Sequence, residues 1–184
     1  IINSPETVKA LDYAKALYGN MIPGTASWND ASNNKAFLAG EISWTNNGIS
    51  IYVAAQNSAK PIAEDMDHAY FPIGVSGKPT ELHVMYPTLI MTYTKFPQAS
   101  KALVAYMLEA ENFNPWMQSA KGYLTHCLNA YDKNPVWTAD PKTTPFRDVG
   151  KRTLTAGGLG SVGEKAATAI ADFVIVDMFA NVST

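Results

Sequence analysis

The stretch FLAGEISWTNNG, residues 37–48, decides our interpretation of the fold. It begins in a predicted short helix, residues 29–39, which a glycine ends. Residues 41–45 then read as a strand, and residues 46–48 give a turn signal ahead of a second helix over residues 49–56. Helix, strand and helix in immediate succession favour the α/β class, with helices outweighing strands.

Ahead of this stretch, the sequence predicts a helix over residues 5–18. Ser4 can cap it, and Pro5 fits its first position, where the missing N–H costs nothing. A glycine and an asparagine then stop it. One face of this helix is expected to carry Val8, Leu11, Lys15 and Tyr18.

Beyond the stretch, the pattern alternates between loop, strand and helix. Residues 57–68 are polar and predict a loop. Residues 69–75 and 82–94 predict strands, the second interrupted by a proline. Pro97 opens the clearest helix of the chain, which apolar residues at helical spacing extend to Ala110. We therefore expect a helix-rich chain with a small mixed sheet.

The last third of the chain combines an aperiodic stretch with one helix. A short helix is predicted over residues 113–120. Residues 123–160 have little periodicity and several turn-forming sites, which is typical of a functional or surface loop. Residues 163–182 predict one helix. Its apolar face would carry Ile170, Phe173, Val174 and Met178.

Composition excludes several classes of protein. Of 184 residues, 47% are apolar and 16% charged, and the formal net charge is −2, which excludes a disordered chain. No basic patch is visible, which argues against nucleic-acid binding. The single cysteine, Cys127, excludes an internal disulfide framework. Asp172 and Asp177 interrupt the most apolar stretch, residues 166–180, so the sequence predicts no membrane span.

Three motifs that could carry chemistry favour structural roles. Residues 158–163 match G-x-G-x-x-G, but only residues 153–156 could supply the preceding strand, and too little chain follows for a dinucleotide fold. The acidic cluster over residues 64–68 lacks the spaced ligands of a calcium loop. Adjacency in sequence does not make His126 and Cys127 a nucleophile and its base. We therefore expect no cofactor, no metal and no catalysis.

Aromatic residues are dense near predicted loops and strand ends. The chain has 4 tryptophans and 9 tyrosines, of which we expect at least half in the core. Aromatic faces stack on the C–H surfaces of sugars, while neighbouring asparagine, threonine and serine side chains can hydrogen-bond hydroxyls. The remaining rings therefore favour a pocket for a polar, uncharged small molecule.

The order of these motifs resembles that of the family 1 extracellular solute-binding proteins, the receptors of ABC importers typified by maltose-binding protein. Residues 37–48 are similar to the family block F-x-x-G-x-x-A-M-x-x-x-G. Residues 71–95 look like its P-x-P, glycine and strand stretch, followed by a helix over residues 99–110. Residues 116–141 resemble its later W, G-Y and P segment. Together with the final helix, the resemblance spans nearly the whole chain.

The resemblance implies a bilobal α/β receptor of which this chain is the C-terminal portion. Residues 1–75 would lie mainly in the C-lobe. Residues 76–122 would supply a hinge strand and helices that pack on the other lobe, and residues 123–184 would return to the C-lobe. The helices packed on that lobe would otherwise expose apolar faces, so we expect a homodimer to cover them.

The resemblance also implies binding rather than catalysis. The receptor would capture a carbohydrate or similar polar solute between its lobes, in the periplasm or outside the cell, and present it to ABC permease subunits. A membrane anchor in the full-length protein is compatible with this role. The family's cleft positions correspond here to Asn47, Tyr52, Tyr86 and Tyr123, with Trp44 as a further candidate that also fits the core. The rings would stack on the ligand, and Asn47 would hydrogen-bond it.

Two other classes remain open at the level of sequence. A non-catalytic interaction domain would give no response to any small solute. An enzyme domain that uses the glycine-rich loop, or His126 with Cys127, would lose its activity in Cys127→Ala.

Overall fold

The chain divides into two compact units. The computed structural model describes residues 2–84, 86–155 and 163–183. Of unit 1 it describes residues 2–45 and 163–183, and unit 2 comprises residues 46–155. Each unit is described by itself below.

The described residues of unit 1 form helices only. These are α1 (Pro5–Tyr18), a 3-10 turn (Thr25–Ser27), α2 (Ser32–Leu38), α10 (Glu164–Ala171) and α11 (Val174–Ser183). The predicted start of α1 is confirmed, because the Ser4 hydroxyl accepts a hydrogen bond from the Thr7 amide at 3.3 Å.

Helix α1 lies against α11. The more sheltered side of α1 carries Thr7, Leu11, Ala14 and Tyr18. Val8, which the sequence placed on the apolar face, is instead 53% exposed. The covered stripe therefore keeps Leu11 and Tyr18 of the predicted face and includes Thr7 and Ala14 in place of Val8 and Lys15.

Two sequence predictions for unit 1 are wrong. Residues 41–45 form no strand, since the described residues of this unit offer no second strand to pair with. The Thr45 hydroxyl instead lies 3.1 Å from the Asn33 amide nitrogen. The single helix predicted over residues 163–182 is broken, because Phe173 adopts a left-handed φ of 55° between α10 and α11.

The segment Glu164–Ser183 is long and apolar enough to cross a membrane, with a mean hydropathy of 1.5 over 18 of its residues. The sequence interpretation excluded a span here because of two aspartates. Core helices and signal sequences also satisfy a test of length and composition alone. The break at Phe173 and the packing of α11 on α1 differ from the single straight helix that such a span would form.

The described residues of unit 2 combine short helices with two strands. In chain order they are α3 (Ser50–Ser58), α4 (Lys60–Asp65), β1 (Glu81–His83), α5 (Pro97–Met107), α6 (Ala110–Ser119), a 3-10 turn (Asn129–Tyr131), α7 (Pro135–Thr138), a 3-10 turn (Pro141–Thr143), α8 (Thr144–Arg147), α9 (Val149–Arg152) and β2 (Thr153–Thr155).

The sheet of unit 2 is smaller than the sequence predicts. Strands β1 and β2 pair in parallel, with Leu82 opposite Leu154. Two strands make a single ladder, so the described sheet is parallel rather than mixed. The strand predicted over residues 82–94 ends at His83, because its partner is only three residues long. The described part of residues 69–75 forms no strand.

Helix α4 lies in the stretch that the sequence predicts as a loop. Half of its six residues are charged, and Ala63 is its one buried side chain. The Lys142 ammonium donates hydrogen bonds to the carbonyls of Ala63 at 3.0 Å and Glu64 at 2.6 Å. These carbonyls lie at the helix end and have no partner within the helix, so a residue far along the sequence completes α4.

The core of the described chain lies in unit 2. All of its buried apolar residues except Ala36 belong there: Ile49, Ile51, Tyr52, Ala55, Ala63, Phe113, Met117, Tyr131 and Trp137. Contrary to the expectation for the aromatic residues, only three of the tryptophans and tyrosines are buried, and eight are exposed. Six of those eight rings lie between residues 70 and 123, two of them on helices α5 and α6.

A tight turn joins α6 to the core. The amide of Gly122 donates to the Met117 carbonyl at 3.1 Å, and that of Lys121 donates to Gln118 at 3.0 Å, which is the Schellman pattern. Gly122 has a φ of +73°, and a Cβ added there would lie 2.7 Å from the ring of buried Trp137. Both backbone and packing therefore require glycine at this position.

We predict that Gly122→Ala destabilises unit 2 more than Gly77→Ala does. Gly77 has a similar φ of +66° but open space around it, so its substitution costs backbone strain of about 1–2 kcal/mol alone. The clash with Trp137 should add about 1–3 kcal/mol to the loss of unfolding free energy for Gly122→Ala. Urea unfolding followed by circular dichroism measures both. Equal losses would contradict the packing argument.

Candidate functional site

A cleft within unit 2 is the strongest candidate for a functional site. It has a volume of about 820 Å³, and α3, α4, the end of α6, α7 and the turn Pro141–Thr143 form its walls. Its lining comprises Tyr52, Gln56, Lys60, Ala63, Glu64, Gln118, Lys121, Pro135, Val136, Ala139, Asp140, Lys142 and Thr143. Small-molecule sites have volumes of about 300–1,000 Å³, so this cleft matches their size.

Tyr52 and Asp140 join two walls of the cleft. Tyr52 is only 6% exposed, and its hydroxyl donates a hydrogen bond to the Asp140 carboxylate. Burial, and secondly this hydrogen bond, raise the pKa of the Tyr52 phenol. The phenol therefore stays protonated at neutral pH and serves as a fixed donor, which holds α3 against the turn Pro141–Thr143.

The same aspartate organises that turn. The second oxygen of Asp140 accepts the Lys142 amide at 3.0 Å, as the cap of the short helix. The Thr143 hydroxyl lies 2.8 Å from the Val136 carbonyl and 2.7 Å from the Asp140 carbonyl. These hydrogen bonds to side chains and backbone hold the turn Pro141–Thr143, one wall of the cleft, in a single conformation.

His68 supports the cleft from outside its lining. Its Nδ1 lies 2.8 Å from the Lys142 carbonyl, which can only accept, so this nitrogen carries the hydrogen. Burial lowers the pKa of the His68 imidazole, so the ring is neutral at pH 7. The His68 ring makes edge-to-face contacts with two aromatic rings. Its centroid lies 5.1 Å from that of Tyr52 and 4.7 Å from that of Phe146. His68 therefore acts as a core spacer between two aromatic rings.

A family comparison decides the class of the protein. A family model described as bacterial extracellular solute-binding protein matches residues 2–145. The chain belongs to this family. No curated protein and no solved structure matches its sequence.

Membership of the solute-binding proteins gives the chain a role in binding a solute for transport and a periplasmic or extracellular location. The family is generally non-enzymatic. His126 Nε2 is 2.7 Å from Asp132 in a buried position, whereas Cys127 is exposed. Among the described residues, no group of histidine, cysteine or carboxylate side chains could hold a metal ion.

The solute-binding protein places the five residues predicted from sequence in different surroundings. Tyr52 lines the cleft, but its ring is buried. Tyr86 is 80% exposed, Tyr123 is 56% exposed, and neither lines the cleft. Asn47 is outside the lining too, and its carboxamide oxygen accepts the Gly48 amide at 2.7 Å in the predicted turn. Trp44 belongs to unit 1 and is 67% exposed.

Sequence reasoning missed most of the cleft. Gln56 follows Tyr52 by one helical turn, a spacing that puts both on one face of α3 and could have indicated it. Asp140 and Lys142 lie in the aperiodic stretch of residues 123–160, and neither gives a local signal of a binding site. The glycine-rich motif over residues 158–163 lies outside the described residues except for Gly163, which precedes α10.

Charged side chains secure the sheet at another part of unit 2. Arg152, at the end of α9, pairs with Glu81 of β1 at 3.0 Å and lies 4.0 Å over the ring of Tyr70. Nearby, Asp148 accepts from Arg147 at 2.8 Å and from Lys151 at 3.4 Å. The Arg152–Glu81 pair joins α9 to β1, and none of these residues lines the cleft.

We predict that Tyr52→Phe lowers the unfolding free energy by about 1–3 kcal/mol, because it leaves one Asp140 oxygen without its donor. Tyr93→Phe is the matched control. Tyr93 is 82% exposed, and its substitution should change stability by less than about 0.5 kcal/mol. Chemical unfolding of the two variants gives the comparison. A Tyr52→Phe protein as stable as the control would mean that this hydrogen bond does not hold the walls together.

Acid should weaken unit 2 through Asp148. The hydrogen bond from Arg147 lowers the pKa of the Asp148 carboxyl from 3.8 to about 2. A folded-state pKa below the unfolded value means that the stabilisation is present above about pH 4 and is lost as the pH falls through about 2. Thermal unfolding between about pH 5 and pH 2 should therefore show a fall in midpoint for the wild type.

The variant Asp148→Asn should begin less stable at the upper end of this range and vary less with pH. Asp65→Asn, which removes an exposed carboxylate at the end of α4, should keep the wild-type slope. Identical slopes in Asp148→Asn and the wild type would contradict the assignment.

Proposed function

We propose that this protein is the solute-receiving component of an ABC importer, which captures a sugar or similar polar solute and delivers it to permease subunits. Family membership supports the class of function, and the cleft of unit 2 is the observation that carries the proposal. Its walls are fixed by buried hydrogen bonds, and its surface offers the polar groups that a hydroxylated molecule needs.

The lining suits a solute with both hydroxyl and C–H surfaces. The carboxamides of Gln56 and Gln118 can each donate and accept, as hydroxyl groups require. Ala63, Val136 and Ala139 supply apolar contact beside them. A few convergent polar groups on a partly apolar wall are the usual composition of a small-molecule site.

We propose further that the exposed residues predicted from sequence complete the site in a two-lobed, maltose-binding-protein-like receptor. Tyr86 and Tyr123 would stack on the solute, and Asn47 would hydrogen-bond it. Tyr52 would hold the wall behind them. Closure of the lobes would follow from tighter binding of the solute by the closed form.

A second copy of the chain is the other proposed partner. Helix α5 has no buried residue, and Leu103 and Tyr106 are 59% and 54% exposed. Exposed apolar side chains on one helix face favour association. Sedimentation at micromolar concentration tests it, and a single species at the monomer mass would contradict it.

Thermal unfolding against a panel of sugars, sugar acids and other polar solutes tests the main proposal. A solute at 100 times its dissociation constant should stabilise the protein by about 2.7 kcal/mol, a shift of roughly 5–10 °C. Gln118→Ala should reduce this shift, and Gln98→Ala, on exposed α5, should leave it unchanged. A shift that survives in Gln118→Ala would place the solute elsewhere. No response to any solute would favour an interaction domain.

A further inference from the structure

The cleft of unit 2 has a charge opposite to that of the chain. Three lysines, Lys60, Lys121 and Lys142, line it together with two carboxylates, Glu64 and Asp140. The cleft therefore carries one net positive charge in a chain whose formal net charge is −2. Local excess of one sign in a concave surface attracts ligands of the other sign.

Two of these five charges are used by the protein itself. Asp140 accepts from the Tyr52 hydroxyl and from the Lys142 amide, so both of its oxygens are engaged. The Lys142 ammonium donates to two carbonyls of α4. A bound solute would therefore meet chiefly Lys60, Lys121 and Glu64.

The two remaining lysines have no carboxylate within salt-bridge distance among the residues that the structure describes. Elsewhere in unit 2, Arg147, Lys151 and Arg152 each lie within 3.4 Å of a carboxylate. The Lys121 ammonium instead donates to a neutral acceptor, Asn57 Oδ1, at 2.5 Å. Its charge is thus positioned but not neutralised.

The backbone of Lys121 adds an independent observation. Its φ is 51°, a left-handed conformation that glycine or asparagine normally fills at this position after a helix. A residue with a side chain pays about 1 kcal/mol for it. Strain of this kind is often retained at binding sites. Here it sets a half-buried lysine at the cleft wall, where Asn57 fixes its ammonium.

We propose that the cleft selects an anionic solute, a hydroxylated compound that carries a carboxylate or phosphate group. Lys60 and Lys121 bind the anionic group, and Gln56 and Gln118 bind the hydroxyls. The Glu64 carboxylate, which also lines the cleft, repels the anionic group and so weakens its binding. This inference rests on the proposed solute-binding function and narrows the class of solute.

Matched pairs of sugars test the inference by calorimetry on the purified protein. The pairs are D-glucuronate with D-glucose, D-galacturonate with D-galactose, and D-glucose 6-phosphate with D-glucose. Acidic members should bind at least tenfold more tightly than neutral ones at low salt. That preference should shrink as the sodium chloride concentration rises to about 0.5 M, because salt screens partly exposed charges. A preference for the uronates or for the phosphate ester identifies which anionic group Lys60 and Lys121 bind.

Variants assign the preference to residues. Lys60→Gln and Lys121→Gln should each weaken binding of the acidic sugar roughly tenfold, about 1.4 kcal/mol, and leave the neutral sugar unchanged. Lys101→Gln, on exposed α5, is the matched control and should change neither. Glu64→Gln should tighten binding of the acidic sugar, a gain that misfolding cannot produce.

The outcomes distinguish a failure of the anionic class from a failure of the proposed solute-binding function. Neutral sugars that bind as tightly as acidic ones, or lysine variants that match Lys101→Gln, overturn the anionic class and leave solute binding standing. Absence of binding by every neutral and acidic member overturns both.

Discussion

The hydrogen bond from the Tyr52 hydroxyl to the Asp140 carboxylate is the contact on which the site depends. It joins residues 88 positions apart in the chain and holds helix α3 against the turn Pro141–Thr143. Asp140 in turn caps that turn, and Lys142 within it completes α4 through the carbonyls of Ala63 and Glu64. Three segments that share no local sequence signal therefore form one rigid cleft.

Local rules were sufficient where an element depends on its own residues. The cap of Ser4 and the proline after it fixed the start of α1, and Pro97 fixed the start of α5. Helix α3 also follows from its own pattern of apolar residues. In each case the hydrogen bonds that begin or continue the element join residues close together in sequence. A short stretch of sequence is therefore sufficient to predict the element.

Elements that depend on distant partners could not be predicted in this way. Helix α4 is completed by the Lys142 ammonium, which lies far along the sequence. The polar stretch that contains α4 therefore resembles a loop when only the local sequence is considered. Residues 41–45 have the composition of a strand, but the described residues of unit 1 include no strand beside them. The family resemblance indicated the class of function, while the cleft, its lysines and its buried tyrosine became visible only once the long-range contacts were known.

The central claim is that solute binds in the cleft of unit 2. Hydrogen–deuterium exchange, measured with and without a solute that raises the unfolding temperature, tests it most directly. We predict slower amide exchange in Ser50–Ser58, in Lys60–Asp65 and around Lys121 and Gly122, with exchange in α5 unchanged. Protection confined to α5 or to unit 1 would contradict it.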